Sequence, residues 1–164
     1  MCTGSYHPRP GQEGHWALAH KALPPPPGDT APMSPYRDAA HLQALLDRVL
    51  RQGYAAPEAG LILRSRLALV FVLTSPELRA RVDGRDGQEA HVTFGEAAAG
   101  PADLTFQMDG ETAHAFWMGE LNPVAAMSSG RMRIGGGLLR ALALAPGLPH
   151  LQRAYREAYA ADPR

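Results

Sequence analysis

The chain has 164 residues, enough for one domain with a substantial core. Its 16 basic and 16 acidic side chains cancel, so no net field draws it to nucleic acid or to an anionic membrane. The single cysteine, Cys2, excludes an internal disulfide and any multi-cysteine zinc or iron–sulfur site.

Lys21 is the only lysine against fifteen arginines, a skew that with the abundant Ala, Gly and Pro reads as coding bias. No run of about 18 apolar residues is present to span a bilayer. The N-terminus lacks the apolar core of a secretory signal, and the final Ala-Asp-Pro-Arg is not a peroxisomal Ser-Lys-Leu address. The expected location is the cytoplasm.

Residues 1–33 carry Pro8, Pro10, Pro24 to Pro27 and Pro32 without helical or strand period, which predicts a disordered tail. Met33 offers an alternative start, directly before the first helix. His7, His15 and His20 are irregularly spaced and have no acid beside them, so they do not read as a metal tract. The folded domain is expected over 34–164. Ser34-Pro35 predicts a capped helix of about 35–52, with Leu42, Leu45, Leu46, Val49 and Leu50 on one stripe and Gly53 as its stop.

Leu67 to Leu73 is apolar at both parities, which predicts a strand buried on both faces. Leu78, Ala80 and Val82 alternate with Arg79, Arg81 and Asp83; Val92 and Phe94 alternate with His91 and Thr93. Leu104, Phe106 and Met108 alternate with Thr105 and Gln107, and Met132 and Ile134 with Arg131 and Arg133. Each of these predicts a strand with one packed and one wet face, arranged around the first. Pro76 and the pairs Asp83-Gly84 and Asp86-Gly87 mark turns, and 96–101 is a small-residue loop.

Asp109 is placed to cap a short helix with Ala113, Phe116 and Trp117 on one face, ended by Gly119. Asn122-Pro123 opens another, with Val124 and Met127 inward and Gly130 as its stop. Leu138 to Ala145 is apolar except for Arg140, so this helix is expected to be sandwiched between the sheet and the last helix, a partner or a bound apolar molecule. Pro146 and Pro149 precede a last helix with Leu148, Leu151, Tyr155 and Tyr159 on one stripe, expected to close the pocket.

From Asp103 to Leu144 the chain is apolar and methionine-rich, with no set of acids, bases or nucleophiles. Ala102, Asp103 and Thr105 form an Ala-Asp-x-Thr strand start; Gly119, Leu121, Asn122 and Pro123 follow a helix. Ala126, Met127, Gly130, Met132, Ile134 and Gly135 then complete a spaced apolar–glycine pattern. Over roughly residues 60–145, and most closely over 102–135, this resembles the sterol carrier protein type 2 (SCP-2-like) lipid-binding domains. The family often has a polar residue, frequently Asp, where Gly136 stands here, which predicts a looser start to the next helix. The resemblance implies an α+β domain with a five-stranded mixed sheet, the first strand in its middle, covered on one face by helices. It implies a non-enzymatic carrier that holds a fatty acid, acyl-CoA, sterol or isoprenoid in a tunnel between the sheet and the C-terminal helices. An alternative is an accessory subunit that presents lipid or quinone intermediates to a lipid-metabolising enzyme.

A hydrolytic site can be drawn from His114, Asp109 or Glu111, and Ser128 or Ser129, but no nucleophile-elbow spacing supports it. No HExxH, His-x-His or paired carboxylates suggest a metal, and no cofactor is expected. The run Gly135 to Gly137 lacks the patterns that cradle phosphates and reads as a flexible corner. The candidate ligand-binding residues are Phe71, Phe106, Met108, Phe116, Trp117, Leu121, Met127, Met132, Ile134, Leu138 and Leu142. A cluster of methionines re-packs around irregular apolar shapes, and an acyl chain of about 16 carbons at ~0.8 kcal/mol per methylene offers roughly 13 kcal/mol before costs. Such a site is expected to bind lipids broadly. Arg131, Arg133 and Arg140 either meet an acidic headgroup or form solvated faces, the latter being the simpler expectation.

Overall fold

A computed structural model describes residues 34–55, 57 and 60–164. The proline-rich segment, its polyproline run and its histidines therefore lie outside the described residues.

Helix α1 runs from Ala39 to Ala55. It starts four residues after Pro35 because Asp38, not Ser34, caps it: the Asp38 carboxylate accepts the His41 N–H at 2.8 Å, whereas Ser34 bonds only Tyr36. The predicted stripe from Leu42 to Leu50 is wholly buried. Gly53 does not end the helix. It faces Leu151 so closely that any Cβ there would overlap that side chain, so glycine is what lets the last helix approach. A one-turn helix α2, Leu61–Arg64, leads into the sheet.

The strands are β1 (Ala68–Thr74), β2 (Leu78–Asp83), β3 (His91–Phe94), β4 (Leu104–Asp109) and β5 (Met132–Gly136), in the order β3-β2-β1-β4-β5. The doubly apolar β1 is central, as its sequence predicts. It pairs antiparallel with β2 and parallel with β4, and β5 closes the edge antiparallel to β4. Register places Leu69 beside Val82 and Leu104, and Phe71 beside Ala80 and Phe106; Met108 opposes Met132, and Phe106 opposes Ile134. These side chains form the face that packs on the helices.

The opposite face departs from simple alternation at Arg81, which is only 6% exposed. Its guanidinium donates to the carbonyls of Pro101 (2.8 Å) and Gly100 (3.4 Å) and to Asp83 (3.1 Å). The loop predicted at 96–101 folds back over β2, with a 3-10 turn at Gly95–Ala98. A buried charge is tolerated because every direction it points offers an acceptor.

Four helices follow β4. Asp109 caps α3 (Gly110–Met118) by accepting the Thr112 N–H at 2.7 Å, and Gly119 closes it. Asn122 caps α4 (Pro123–Ser128) by accepting from Val124 and Ala125, both as the sequence predicts. Helix α5 (Leu138–Ala143) is short, and α6 (Leu148–Ala161) packs on α1 and α3. The Tyr155 hydroxyl bridges the Tyr36 hydroxyl and the His114 Nδ1, each at 2.8 Å, tying the start of α1 to α3 and α6. Among the described residues no helix is long and apolar enough to cross a membrane.

Candidate functional site

The helix-facing side of the sheet does not close completely against the helices. An apolar cavity of about 180 Å³ remains between them. Its floor is Leu69, Phe71, Phe106, Met132 and Ile134 of the sheet; its walls are Phe116 and Trp117 of α3, with Tyr54, Leu148 and Leu151 behind. Pro123, Val124 and Met127 of α4 form one side of the mouth, and Leu138, Ala141, Leu142, Leu144 and Ala145 form the other. Among the described residues no charged side chain lines it, and only Tyr54 and Trp117 bring a side-chain hydrogen-bonding group. Burial pushes the Tyr54 phenol well above its ordinary range, so it stays neutral.

The aromatic wall is ordered by its own contacts. Phe71 stacks on Phe106 with ring centres 5.2 Å apart and tilts against Trp117 at 5.4 Å, while Phe116 meets Trp117 edge-on at 5.0 Å. These geometries lie in the favourable range for aromatic pairs and hold one side of the cavity rigid. The other side is soft. Helix α5 has no buried residue: Leu138 is 51% exposed, Leu142 52% and Leu139 82%. The last helix is therefore not the second layer that the composition of α5 calls for. Helix α5 is a cover over the mouth, wetted from outside, and α6 supplies a wall, not the lid.

One polar link holds α5 down. Asp103 accepts the Ala68 N–H at 2.8 Å through one oxygen and the Arg140 guanidinium at 3.3 Å through the other. The pair lies in a second, polar hollow of about 320 Å³ bounded by α2 and α5. That hollow is the roomier of the two, but its opposed charges already pair with each other, which leaves the apolar cavity as the candidate site.

Of the sequence-predicted residues, the cavity brings together Phe71, Phe106, Phe116, Trp117, Met127, Met132, Ile134, Leu138 and Leu142. Met108 is buried in the ladder between Leu73 and Met132, outside the lining, and Leu121 packs partly buried against the core. Tyr54, Leu69, Leu148 and Leu151 also line it; the last three lay on strand and helix stripes read as packed, Tyr54 lay beyond the expected end of the first helix, and only the fold shows that they border a gap. Val124 was expected inward and does touch the cavity, yet it is 60% exposed at the rim. Gly135 and Gly136 are not a loose corner: both pair in β5, opposite Thr105 and Leu104, and only Gly137 turns the chain into α5.

The residues drawn as a hydrolytic triad are not brought together. Ser128 donates to the Val124 carbonyl and Ser129 to the Ala126 carbonyl of their own helix; Asp109 caps α3, and the His114 Nδ1 bonds Tyr155. Burial holds the His114 imidazole below its ordinary pKa. Among the described residues no group of three His, Cys, Asp or Glu side chains is placed to hold a metal.

In sequence the chain matches no family model and no curated protein. In structure it is similar to sterol carrier protein 2. One crystal structure of that protein matches with a TM-score of 0.52 at 20% identity, over 70% of this chain and 95% of the other. The apo form from Yarrowia lipolytica gives 0.51 at 18%, over 63% and 87%. The sterol carrier protein domain 2 of Helicoverpa armigera gives 0.50 at 23%, over 69% and 85%. The described residues therefore have the SCP-2-like fold: a five-stranded mixed sheet with helices, α+β in class.

Proposed function

We propose that this protein binds the hydrocarbon part of a lipid, without catalysis, in the cavity between the sheet and helices α3 to α6. The observation that carries this reading is the cavity itself, walled by apolar side chains between the sheet and the helices. An apolar void of this kind forfeits dispersion contacts on every wall, and a hydrocarbon restores them. The likeness of fold to sterol carrier protein 2 supports the same reading. The nine predicted residues that line the cavity are the proposed contacts, together with Leu69, Leu148 and Leu151.

The size constrains the ligand. At about 180 Å³ the cavity exceeds the ~150 Å³ void that accommodates benzene and falls below the ~300–1,000 Å³ of pockets that enclose whole drug-sized ligands. A chain segment fits as the structure stands; a long acyl tail must leave by the mouth or displace α5. With walls this plain, discrimination between fatty acids, sterols and isoprenoids is weak, since one methylene is worth only about 1 kcal/mol. Carriage in the cytoplasm, or presentation of the lipid to a metabolising enzyme, belongs to this same reading.

Delipidated protein titrated with a fluorescent fatty acid gives saturable, one-to-one binding if the proposal holds; linear uptake without saturation refutes it. Met127→Glu, which puts a carboxylate into the wall from the mouth of α4, lowers affinity at least tenfold while shifting the urea midpoint little.

A further inference from the structure

Four tyrosines lie among the described residues, and three of them have partners for their hydroxyls. Tyr36 and Tyr155 bond each other, Tyr155 also bonds His114, and Tyr159 donates to the Pro35 carbonyl at 2.9 Å. Tyr54 is the exception. It is only 8% exposed, yet its hydroxyl has no hydrogen-bond partner among the described residues, and burial is the sole influence on its raised pKa. A buried tyrosine hydroxyl usually finds a partner, because leaving it dry forfeits the bond it makes with water. Nor is the hydroxyl sealed in. Among the described residues, the side-chain polar atom with neither a partner nor open space beside it is the Thr112 Oγ1. The open space that Tyr54 borders is the apolar cavity.

The helix that carries Tyr54 fixes its place along that cavity. Helix α1 packs on α6, β2 and β3, whereas α4 and α5, which form the mouth, pack on β5. Strands β3 and β5 are the opposite edges of the sheet. Tyr54 therefore stands at the inner end, away from the mouth. This end offers one phenolic donor, and among the described residues no charged side chain lines the cavity. A carboxylate placed there would exchange its hydration for a single hydrogen bond, which leaves most of the cost of burying an ion unmet. A carbonyl or hydroxyl oxygen gives up far less hydration, and one donor meets its need.

We infer that the Tyr54 hydroxyl is a polar anchor at the inner end of the cavity, donating to an uncharged oxygen at the leading end of an otherwise apolar ligand. The class of ligand is a ketone, aldehyde or alcohol that enters oxygen first. An ionised fatty acid enters tail first instead, keeps its carboxylate at the mouth and never meets Tyr54. This assignment rests on the cavity being the lipid site proposed above, and it adds the feature by which one class of apolar ligand is told from another.

The delipidated full chain and its Tyr54→Phe variant are titrated by calorimetry with octanone, with the alkene in which a methylene replaces its carbonyl oxygen, and with octanoate. The variant keeps the ring and its packing and loses only the donor. It should bind octanone about three- to tenfold more weakly, bind the alkene no more weakly, and bind octanoate within about twofold of the parent. The carbonyl stretch of octanone bound to the parent should lie below its frequency in alkane solution, a shift that the variant should lose. Because the hydroxyl has no partner among the described residues, the substitution should not lower the urea midpoint. Unchanged octanone affinity in the variant, an equal loss for all three ligands, an unshifted carbonyl or a clearly lowered midpoint would each overturn the anchor and leave the cavity as a lipid site. Failure of all three ligands to bind, with no saturation by the fluorescent fatty acid, would remove the cavity reading and the anchor with it.

Discussion

Asp83 ends β2 between two arginines of different character. Arg85, exposed, grips it from the following turn, and Arg81, buried, reaches it from two residues back. Chiefly through the Arg85 hydrogen bond, and against the burial that opposes ionisation, its carboxyl is held down at about 2, from an ordinary value near 3.8. Above pH 4 the carboxylate is charged in folded and unfolded chains alike, and its pairing is fully stabilising. Between pH 4 and 2 the unfolded chain takes up the proton first, so this stability drains away as pH falls. Asp83→Asn should therefore cost about 1–2 kcal/mol at pH 6 and converge with the parent near pH 2, measured as urea midpoints across that range. Alternation assigned Arg81 and Asp83 to a wet face. It had no means of seeing that residues 99–101 return across that face, because a strand's own period reports the sheet, not the loops that cover it.

Caps and periods were legible element by element wherever one local bond decides the geometry. Asp109 and Asn122 start their helices as foreseen, since an oxygen placed before an N-terminal turn needs no tertiary partner. Ser34-Pro35 satisfied the same rule and lost to Asp38, a competing cap four residues on. The glycines of β5 were misread for the opposite reason, that their cause is long-range. Gly136 has φ of 99° and crosses the Asp103 carbonyl so closely that a Cβ would overlap it. It is the residue at which β5 passes the start of β4, where Asp103 also anchors Ala68 and Arg140. Gly136→Ala is thus expected to cost about 2–4 kcal/mol, from left-handed strain and backbone overlap together, with a lowered melting temperature. Gly137→Ala, at negative φ and in ordinary contact with Arg140 alone, should change it by less than about 1 kcal/mol.

At the scale of the whole molecule, the central place of β1 followed from one contrast, since a doubly apolar strand among half-apolar ones has only the centre to occupy, whereas the order of the strands around it did not. The cavity was not legible in that way, because a hydrophobic side chain looks the same in sequence whether it touches a neighbour or a gap. What the structure adds is an aromatic wall facing a short, wet helix held, among the described residues, by one exposed ion pair, and this asymmetry sets the binding pattern that the proposed function should show. For saturated fatty acids short enough to lie inside, each added methylene leaves water completely and should tighten binding about fourfold. Once the chain reaches Val124, Leu138 and Leu142, which are themselves half exposed, further methylenes stay partly wet and the gain should fall below about twofold. A plot of log Kd against chain length, by calorimetry on delipidated protein, should break at that point. Leu138→Ala should flatten the long-chain limb and spare the short one. A fourfold gain sustained to about sixteen carbons would instead mean that α5 swings aside and the cavity grows with its ligand, a change Arg140→Gln would then ease by releasing Asp103.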